Sequence, residues 1–191
     1  MNALREAFPS VPMVAVLPPE KLDWWRRELA GGHPTVGFVA GGPRRRDSVQ
    51  LGVEAAVQLG CTVVAVHDAA RPAVHPQDVR RAVDALADAD GAVLSRCVAE
   101  TVKEVDATGA VVATIDRERL RLALTPQVFR VGALQRAWRE LGHDEDVTDE
   151  SVLLECLGMR VTTVDASHPN PKVTVPADLP IVRALLAARH T

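Results

Sequence analysis

Residues 61–76, CTVVAVHDAARPAVHP, contain the transition that decides the fold class. The run 62–66 is almost entirely apolar, and such an uninterrupted strand is typical of a parallel sheet covered on both faces. It stops at a charged loop that contains Asp68 and Arg71. Pro76 then stands at an early position of a predicted helix, where its missing N–H is not needed. A buried strand, a charged loop and a helix in succession predict an α/β fold.

The same alternation of short apolar runs and longer segments of helical period extends along most of the chain. Strands are predicted at 11–17, 36–40, 62–66, 91–94 and 160–164, and helices at 20–29, 47–59, 76–86, 131–141, 149–157 and 177–188. At 191 residues the chain fits one domain. The pattern therefore predicts a single α/β domain built on a mostly parallel sheet.

The alternation breaks at about residues 98–120. Two β-type runs, TVKEV (101–105) and AVVATI (110–115), flank the sequence Asp106-Ala107-Thr108-Gly109. This is a turn composition in which Gly109 can adopt a positive φ. We therefore predict a projecting hairpin, the β-arm.

Composition limits the classes of partner. The net charge of −3 and pI near 6.1 argue against a large nucleic-acid footprint or an anionic membrane surface. The three cysteines form no C-x-x-C pair, so neither a disulfide framework nor a zinc site is indicated. No apolar run reaches about 18 residues. We expect a cytoplasmic protein with a small-molecule partner.

Asp68 and Arg71 follow a predicted strand directly, at the edge of an open parallel sheet where ligands bind. The carboxylate of Asp68 suits a cationic or metal-bound group, and the planar fork of Arg71 suits a phosphate. A structural ion pair between the two residues is an equally simple explanation. Residue type alone leaves both interpretations open.

A second constellation is GGPRRRDSV, residues 41–49. Two glycines after a strand let the backbone approach a ligand, while Asp47 or Ser48 begins a helix whose first N–H groups attract anions. The simpler alternative is a solvated arginine run beside a capped helix. The chain contains neither G-x-G-x-x-G nor G-x-x-x-x-G-K-[ST], which removes the standard dinucleotide and P-loop interpretations.

The third constellation is NPKVTVPADL, residues 170–179. Lys172 stands just before the β-type run Val173–Val175, so we expect its ammonium group near a strand end, where it would suit a phosphate. The alternative is a surface lysine whose stem covers the sheet.

Taken together, GGPRRRDSV, VHDAARP (66–72), ALTPQVF (123–129), VTDES (147–151) and PKVTVPADL (171–179) resemble the 2-C-methyl-D-erythritol 4-phosphate cytidylyltransferases of isoprenoid precursor biosynthesis. The resemblance extends from about Val11 to the C-terminus. Each motif alone is weak, but their combination is specific. Cytidylyltransferases that act on ribitol phosphate share most of these motifs.

The resemblance implies a Rossmann-like fold of the nucleotide-diphospho-sugar transferase type. It also implies a reaction in which CTP and a polyol phosphate give a CDP-alcohol and pyrophosphate with Mg²⁺. The acceptor phosphate attacks the α-phosphorus, so the protein positions two polyanions and supplies no nucleophilic side chain. Two alternatives remain: a ribitol-phosphate cytidylyltransferase, and a noncatalytic truncated relative that binds a polyol phosphate.

Carried over motif by motif, the resemblance implies a role for each site residue. Gly42 and Ser48 would lie beside the cytosine and ribose, and Lys172 would contact the triphosphate. Asp68 would contact the acceptor close to Mg²⁺, although no direct metal ligand is assigned. Asp68 and Lys172 are then the expected catalytic residues, and Arg71 would fix the acceptor.

The β-arm also gains a role from the resemblance, because family members are homodimers whose arms reach the neighbouring subunit. Thr101 and Arg117 match the arm positions that bind the acceptor phosphate in the partner's site. Without the resemblance, both would be interpreted as ordinary surface residues.

One departure from the family concerns the glycine-rich loop that wraps the CTP triphosphate, which has no counterpart here. The run Val11–Leu17 matches the family's second strand. Roughly the first 40 residues of the family are therefore missing, and with them a central strand whose loss would expose backbone groups on both flanking strands. We hypothesise that Met1 is an internal start of a longer protein.

Overall fold

The computed structural model describes residues 2–30, 36–141 and 149–189. Its helices are α1 (Asn2–Ala7), α2 (Leu22–Ala30), α3 (Arg45–Gln58), α4 (Pro76–Asp84), α5 (Val131–Leu141), α6 (Glu150–Cys156) and α7 (Leu179–Ala187). Its strands are β1 (Met13–Leu17), β2 (Val36–Ala40), β3 (Val63–Val66), β4 (Gly91–Cys97), β5 (Val102–Val105), β6 (Val111–Ile115), β7 (Arg121–Arg130) and β8 (Val161–Asp165). The predicted alternation is confirmed. The polar loop expected at 142–146 lies outside the described residues.

The main sheet has four strands in the order β3-β7-β4-β8. Strands β4 and β8 are parallel, and β7 is antiparallel to both β3 and β4. Three strands therefore point the same way and β7 runs against them, which makes the sheet mixed. Helices cover both faces: Phe129 packs among residues of α5 and α6, while its neighbour Val128 packs against α4. The α/β class is confirmed.

Strand β7, whose course is irregular, was not predicted from the sequence. Val93 of β4 pairs with Gln127 and Ser95 pairs with Ala123, so three residues of β7 oppose one residue of β4. This bulge contains Pro126, which has no N–H to donate to the ladder. The interruption lets one strand of ten residues cross the whole sheet.

Strands β1 and β2 form a separate parallel pair. Within the described ranges β1 pairs only with β2, and β3 pairs only with β7, so each has one edge without a ladder partner. None of the described helices is both long enough and apolar enough to cross a membrane.

The predicted β-arm is confirmed as a two-stranded antiparallel hairpin of β5 and β6. Its turn is stabilised by Asp106, whose carboxylate accepts hydrogen bonds from the N–H groups of Thr108 and Ala110. Gly109 has a φ of 87°, the left-handed conformation that glycine adopts without strain. Among the described strands β5 and β6 pair only with each other, so the arm forms a sheet of its own.

Candidate functional site

Asp68 is the centre of the candidate site, two residues beyond the end of β3. The Nζ of Lys172 lies 2.9 Å from its Oδ2. The Nε of Arg71 lies 3.9 Å from the same oxygen, and the Nε of Arg45 lies 3.8 Å from Oδ1. The fold thus brings all three constellations to one carboxylate.

The charge state of Asp68 results from two opposing effects. Burial alone would raise the pKa of its carboxyl group. The hydrogen bond and charge of Lys172, with the charges of Arg45 and Arg71, outweigh burial and lower the pKa below its ordinary value. Asp68 is therefore a carboxylate near neutral pH, surrounded by cations that exceed its own charge.

Backbone contacts hold Lys172 beside the Asp68 loop. The N–H of Val173 donates to the carbonyl of Ala70 at 2.8 Å. The Nη1 of Arg71 donates to the carbonyl of Asn170, also at 2.8 Å. Because these bonds flank Lys172 on both sides, its side chain begins at a fixed place relative to Asp68.

The expected strand at Val173–Val175 is wrong. The N–H groups of Thr174 and Val175 donate to the carboxylate of Asp178, at 2.8 and 3.0 Å. These bonds cap the single 3₁₀ turn Pro176–Asp178, which precedes α7. The local cap therefore takes the N–H groups that a ladder would need.

His67 and Thr125 hold the backbone of the loop that contains Asp68 and Arg71. The Oγ1 of Thr125 accepts a hydrogen bond from the N–H of Asp68 at 3.1 Å and lies 3.0 Å from the Nδ1 of His67. The Nε2 of His67 lies 3.0 Å from the carbonyl of Arg71. These partners are all satisfied when the Thr125 hydroxyl donates to Nδ1 and a neutral imidazole donates from Nε2.

The buried imidazole predicts a pH dependence of stability. Burial lowers the pKa of His67 below 6.5, and its bond to the Arg71 carbonyl only partly opposes this. The unfolded chain therefore binds more protons than the folded chain below about pH 6.5. As the pH falls through this range, the free energy of unfolding decreases by up to about 1.4 kcal/mol per pH unit, and it levels off below the pKa of folded His67. Chemical denaturation across this range should show a smaller slope in His67→Gln than in wild type. An equal slope would contradict the assignment.

The Gly42–Ser48 loop is closed by its own side chains. The Oγ of Ser48 accepts a hydrogen bond from the N–H of Gly42 at 3.1 Å. A Cβ at Gly42 would lie 2.5 Å from the Cβ of Asp47, so a larger residue would displace the loop. The structure thus holds Gly42, ahead of α3, against Ser48 in the first turn of α3.

The three consecutive arginines have different environments. Arg44 donates to the carboxylate of Asp47 from both its backbone N–H and its guanidinium group, which caps α3. Arg45 faces Asp68, and Arg46 is only 7% exposed. The alternative of a solvated arginine run is therefore correct only in part, because the side chains of Arg44 and Arg45 are 48% and 40% exposed. Arg45 is also a site residue for which no role was predicted from the sequence.

Glu150 is a second residue without a predicted role. Its carboxylate accepts two hydrogen bonds from the Nη1 of Arg45, at 2.8 and 3.0 Å, although it lies 105 residues away in the chain. Burial raises the pKa of Glu150, and the attraction of Arg45 opposes that rise. The VTDES motif contains this position, but no role was predicted for its acidic residues.

Thr101 and Arg117 lie at the base of the β-arm and are exposed. Arg117 donates to the carbonyl of Ala99. In the described part of the chain, neither residue has a hydrogen bond or ion pair to Asp68, Arg71 or Lys172. The structure therefore does not bring these two predicted site residues to the Asp68 group.

An open cavity of about 400 Å³ lies elsewhere, between α6 and strands β4 and β8. Its lining includes Ser95, Glu155 and Thr163, and its cation Arg121 is paired with Asp165 at 3.0 Å. A phosphorylated ligand needs cations that exceed the local anions. The Asp68 group meets that requirement and the cavity does not, so we assign the site to Asp68.

Comparison with known proteins identifies the family. The profile of IspD, 2-C-methyl-D-erythritol 4-phosphate cytidylyltransferase, matches residues 5–188. The enzyme of that name from Frankia casuarinae is 41% identical over 188 residues, which cover 98% of this chain and 68% of the relative. The crystal structure of the Thermus thermophilus enzyme superposes with a TM-score of 0.77 at 30% identity and covers 97% of this chain and 85% of that one.

Bifunctional relatives also match. The IspD/IspF enzyme of Nitrobacter hamburgensis is 39% identical over 191 residues, which cover 96% of this chain and 47% of the relative. The chain spans 35% of the corresponding enzyme of Rhodopseudomonas palustris strain HaA2. It therefore represents less than half the length of these bifunctional relatives. On its sequence and its fold, the chain belongs to the IspD family.

Proposed function

We propose that this protein is a cytidylyltransferase that joins CTP to 2-C-methyl-D-erythritol 4-phosphate, which yields a CDP-alcohol and pyrophosphate in the non-mevalonate isoprenoid precursor pathway. The observation that carries the proposal is the convergence of Lys172, Arg71 and Arg45 on Asp68, in a chain of the IspD family. Both substrates are polyanions, and a site with excess positive charge suits both.

The acceptor phosphate would bind at Arg71. Its Nε is buried and has no hydrogen-bond partner among the described residues, and Asp68 is too distant at 3.9 Å to accept from it. A buried donor without a partner is costly, and a small movement of the side chain that brings it to a phosphate oxygen would relieve that cost. Lys172, whose side chain is 45% exposed and which approaches the same oxygen of Asp68, would reach the triphosphate.

The nucleotide base would bind at the Gly42–Ser48 loop. The loop is held by its internal hydrogen bond before any ligand arrives. A preorganised loop loses little conformational entropy on binding, and the absence of a side chain at Gly42 permits close approach. Positioning of the acceptor oxygen against the α-phosphorus then supplies the catalysis.

We propose that Mg²⁺ binds together with the triphosphate. No cluster of three or more His, Cys, Asp or Glu side chains occurs in the described ranges, so no cage made only of protein groups is present there. Mg²⁺ is commonly held by one or two carboxylates together with substrate phosphates, and Asp68 fits the role of that carboxylate. When bound, the ion neutralises charge on the phosphates.

The proposal includes a homodimer formed through the β-arm. Val105, Val111 and Val112 on the hairpin are 52%, 60% and 59% exposed. Three exposed valines on an arm that pairs with no other described strand favour burial against a second copy. Thr101 and Arg117, at the base of the arm, would then approach the acceptor in the partner's site.

Mixed dimers test the crossed arm. Arg117→Ala should raise the KM for the acceptor about tenfold or more, because one charge-assisted contact to a phosphate is lost. Co-expressed Arg117→Ala and Asp68→Asn chains should recover activity, since one of the two sites in a mixed dimer then contains both native residues. Homodimers of each variant provide the baseline. Activity of the mixture no greater than that baseline would contradict a contribution in trans.

Product analysis separates the proposed substrate from its alternative. Phosphorus NMR of the protein with CTP, Mg²⁺ and 2-C-methyl-D-erythritol 4-phosphate should show new diphosphate resonances. Ribitol phosphate in place of that acceptor should give little product. A faster rate with ribitol phosphate would assign that compound as the acceptor, and the absence of product with both would favour a noncatalytic relative.

The cytoplasm is the proposed location. Cys61, Cys97 and Cys156 are all free thiols, and two of them are exposed. Free cysteines agree with a reducing compartment. The proposed substrates are intracellular phosphates, in keeping with that location.

A further inference from the structure

The ion pair between buried Glu150 and partly exposed Arg45 joins two helix starts. Glu150 is the first residue of α6 and Arg45 is the first residue of α3. The side chain of Glu150 is 1% exposed, whereas that of Arg45 is 40% exposed. The carboxylate is therefore fixed in the interior, and the guanidinium extends from it towards solvent and Asp68.

Hydrogen bonds of the neighbouring residue hold Glu150 in a fixed position. Its neighbour Asp149 caps α6 by accepting from the N–H of Ser151 at 3.0 Å and also accepts from the Nε2 of Gln127 on β7 at 3.0 Å. The start of α6 is thus tied to the main sheet. A carboxylate held in this way restricts the rotamers of the arginine that it binds.

Arg45 uses one nitrogen for this pairing. Both hydrogen bonds to Glu150 come from Nη1. The Nε approaches Asp68 only to 3.8 Å, which is too long for a hydrogen bond. Arginine has five donors, so Arg45 retains donors on the side that faces Asp68.

The charges around Asp68 also favour an anion there. Arg45, Arg71 and Lys172 carry three positive charges, against the negative charges of Asp68 and Glu150. Arg45 lies on the Oδ1 side of Asp68, while Lys172 and Arg71 approach Oδ2. An oxyanion near Asp68 would therefore meet cations on both sides.

We propose that Arg45 is a further phosphate-binding residue of this site and that Glu150 is its positioning residue. The inference deepens the proposed function, on which it rests, because the anion would be a phosphate group of the substrates or the pyrophosphate product. Glu150 does not touch the ligand. It acts by holding Arg45 in place.

Pyrophosphate binding, measured by calorimetry at fixed ionic strength, tests both roles without turnover. Arg45→Met should weaken binding about tenfold, which corresponds to one lost charge-assisted hydrogen bond. Glu150→Gln should weaken binding by several fold, because the amide holds the guanidinium less firmly. Glu150→Gln added to Arg45→Met should weaken binding no further, since Glu150 acts only through Arg45.

The pair Arg136–Glu140 supplies matched controls. These residues form an exposed ion pair of 2.7 Å on α5, so Arg136→Met and Glu140→Gln should leave pyrophosphate binding unchanged. Arg45→Met tests the proposal even if Glu150→Gln does not fold, because the side chain of Arg45 is partly exposed.

Three results would overturn the inference: no pyrophosphate binding by wild type, unchanged binding in Arg45→Met, or an equal loss from Glu150→Gln in both backgrounds. Failure of the proposed function has a different signature. In that case pyrophosphate binds with the predicted dependence on Arg45, but CTP and the polyol phosphate give no product.

Discussion

Replacing Asp68 by Asn is expected to lower the rate of pyrophosphate release about 10² to 10³-fold while the chain stays folded, because a preorganised charge at a reacting centre contributes about 2.7 to 4 kcal/mol. Asn is nearly isosteric, and it removes a carboxylate contacted by Lys172 at 2.9 Å. The loss should appear in kcat, since the remaining cations still attract both polyanions.

Steady-state rates with CTP and acceptor both saturating measure this effect. Asp23→Asn is the matched control, because the Asp23 side chain is 87% exposed and pairs only with Arg26 among the described residues. Its rate should equal that of wild type. A near-normal kcat in Asp68→Asn would refute the placement of Asp68 at the reacting centre.

Replacing Lys172 by Met is expected to lower kcat/KM for CTP about 10²-fold, because a charge on the triphosphate is lost. It should also change the pH dependence. Burial raises the pKa of Asp68 and Lys172 is the main opposing influence, so that pKa should rise in the variant. If ionised Asp68 is required, the acidic limb of the pH–rate profile moves to higher pH.

Rates measured between pH 4 and 9 check this prediction. Lys21 is exposed and directly precedes α2. The control variant is Lys21→Met, which should retain the wild-type pH–rate profile. A Lys172→Met enzyme with reduced rate but an unmoved acidic limb would contradict the coupling between Lys172 and Asp68.

Local pattern was sufficient for much of the fold. The apolar run before Asp68 predicted a strand, and the turn at Gly109 predicted the β-arm, because both depend on residues close in sequence. The predicted coverage of that strand on both faces was wrong, because Val63 and Ala65 of β3 are exposed. Strand β7 was missed because Pro126 interrupts its pattern, and only pairing with β4 across a bulge makes it continuous. The Val173–Val175 run was wrongly predicted as a strand because the Asp178 cap competes for its N–H groups.

The candidate site was likewise predicted only in part from the sequence. Asp68, Arg71 and Lys172 were predicted because their residue types suit polyanions and they lie near predicted strand ends. The role of Arg45 depends on Glu150, 105 residues away, and such a pair becomes visible only when α3 and α6 are placed side by side. Thr101 and Arg117 would act in a partner's site, so the structure of one chain places them only at the base of the arm.

Pyrophosphate release by the purified 191-residue chain, given CTP, Mg²⁺ and 2-C-methyl-D-erythritol 4-phosphate, tests the central claim most directly. We predict release that requires both substrates and that falls to background in Asp68→Asn. Release that is absent in wild type, or that persists unchanged in Asp68→Asn, would contradict the claim that the cations gathered on Asp68 form the active site of a cytidylyltransferase.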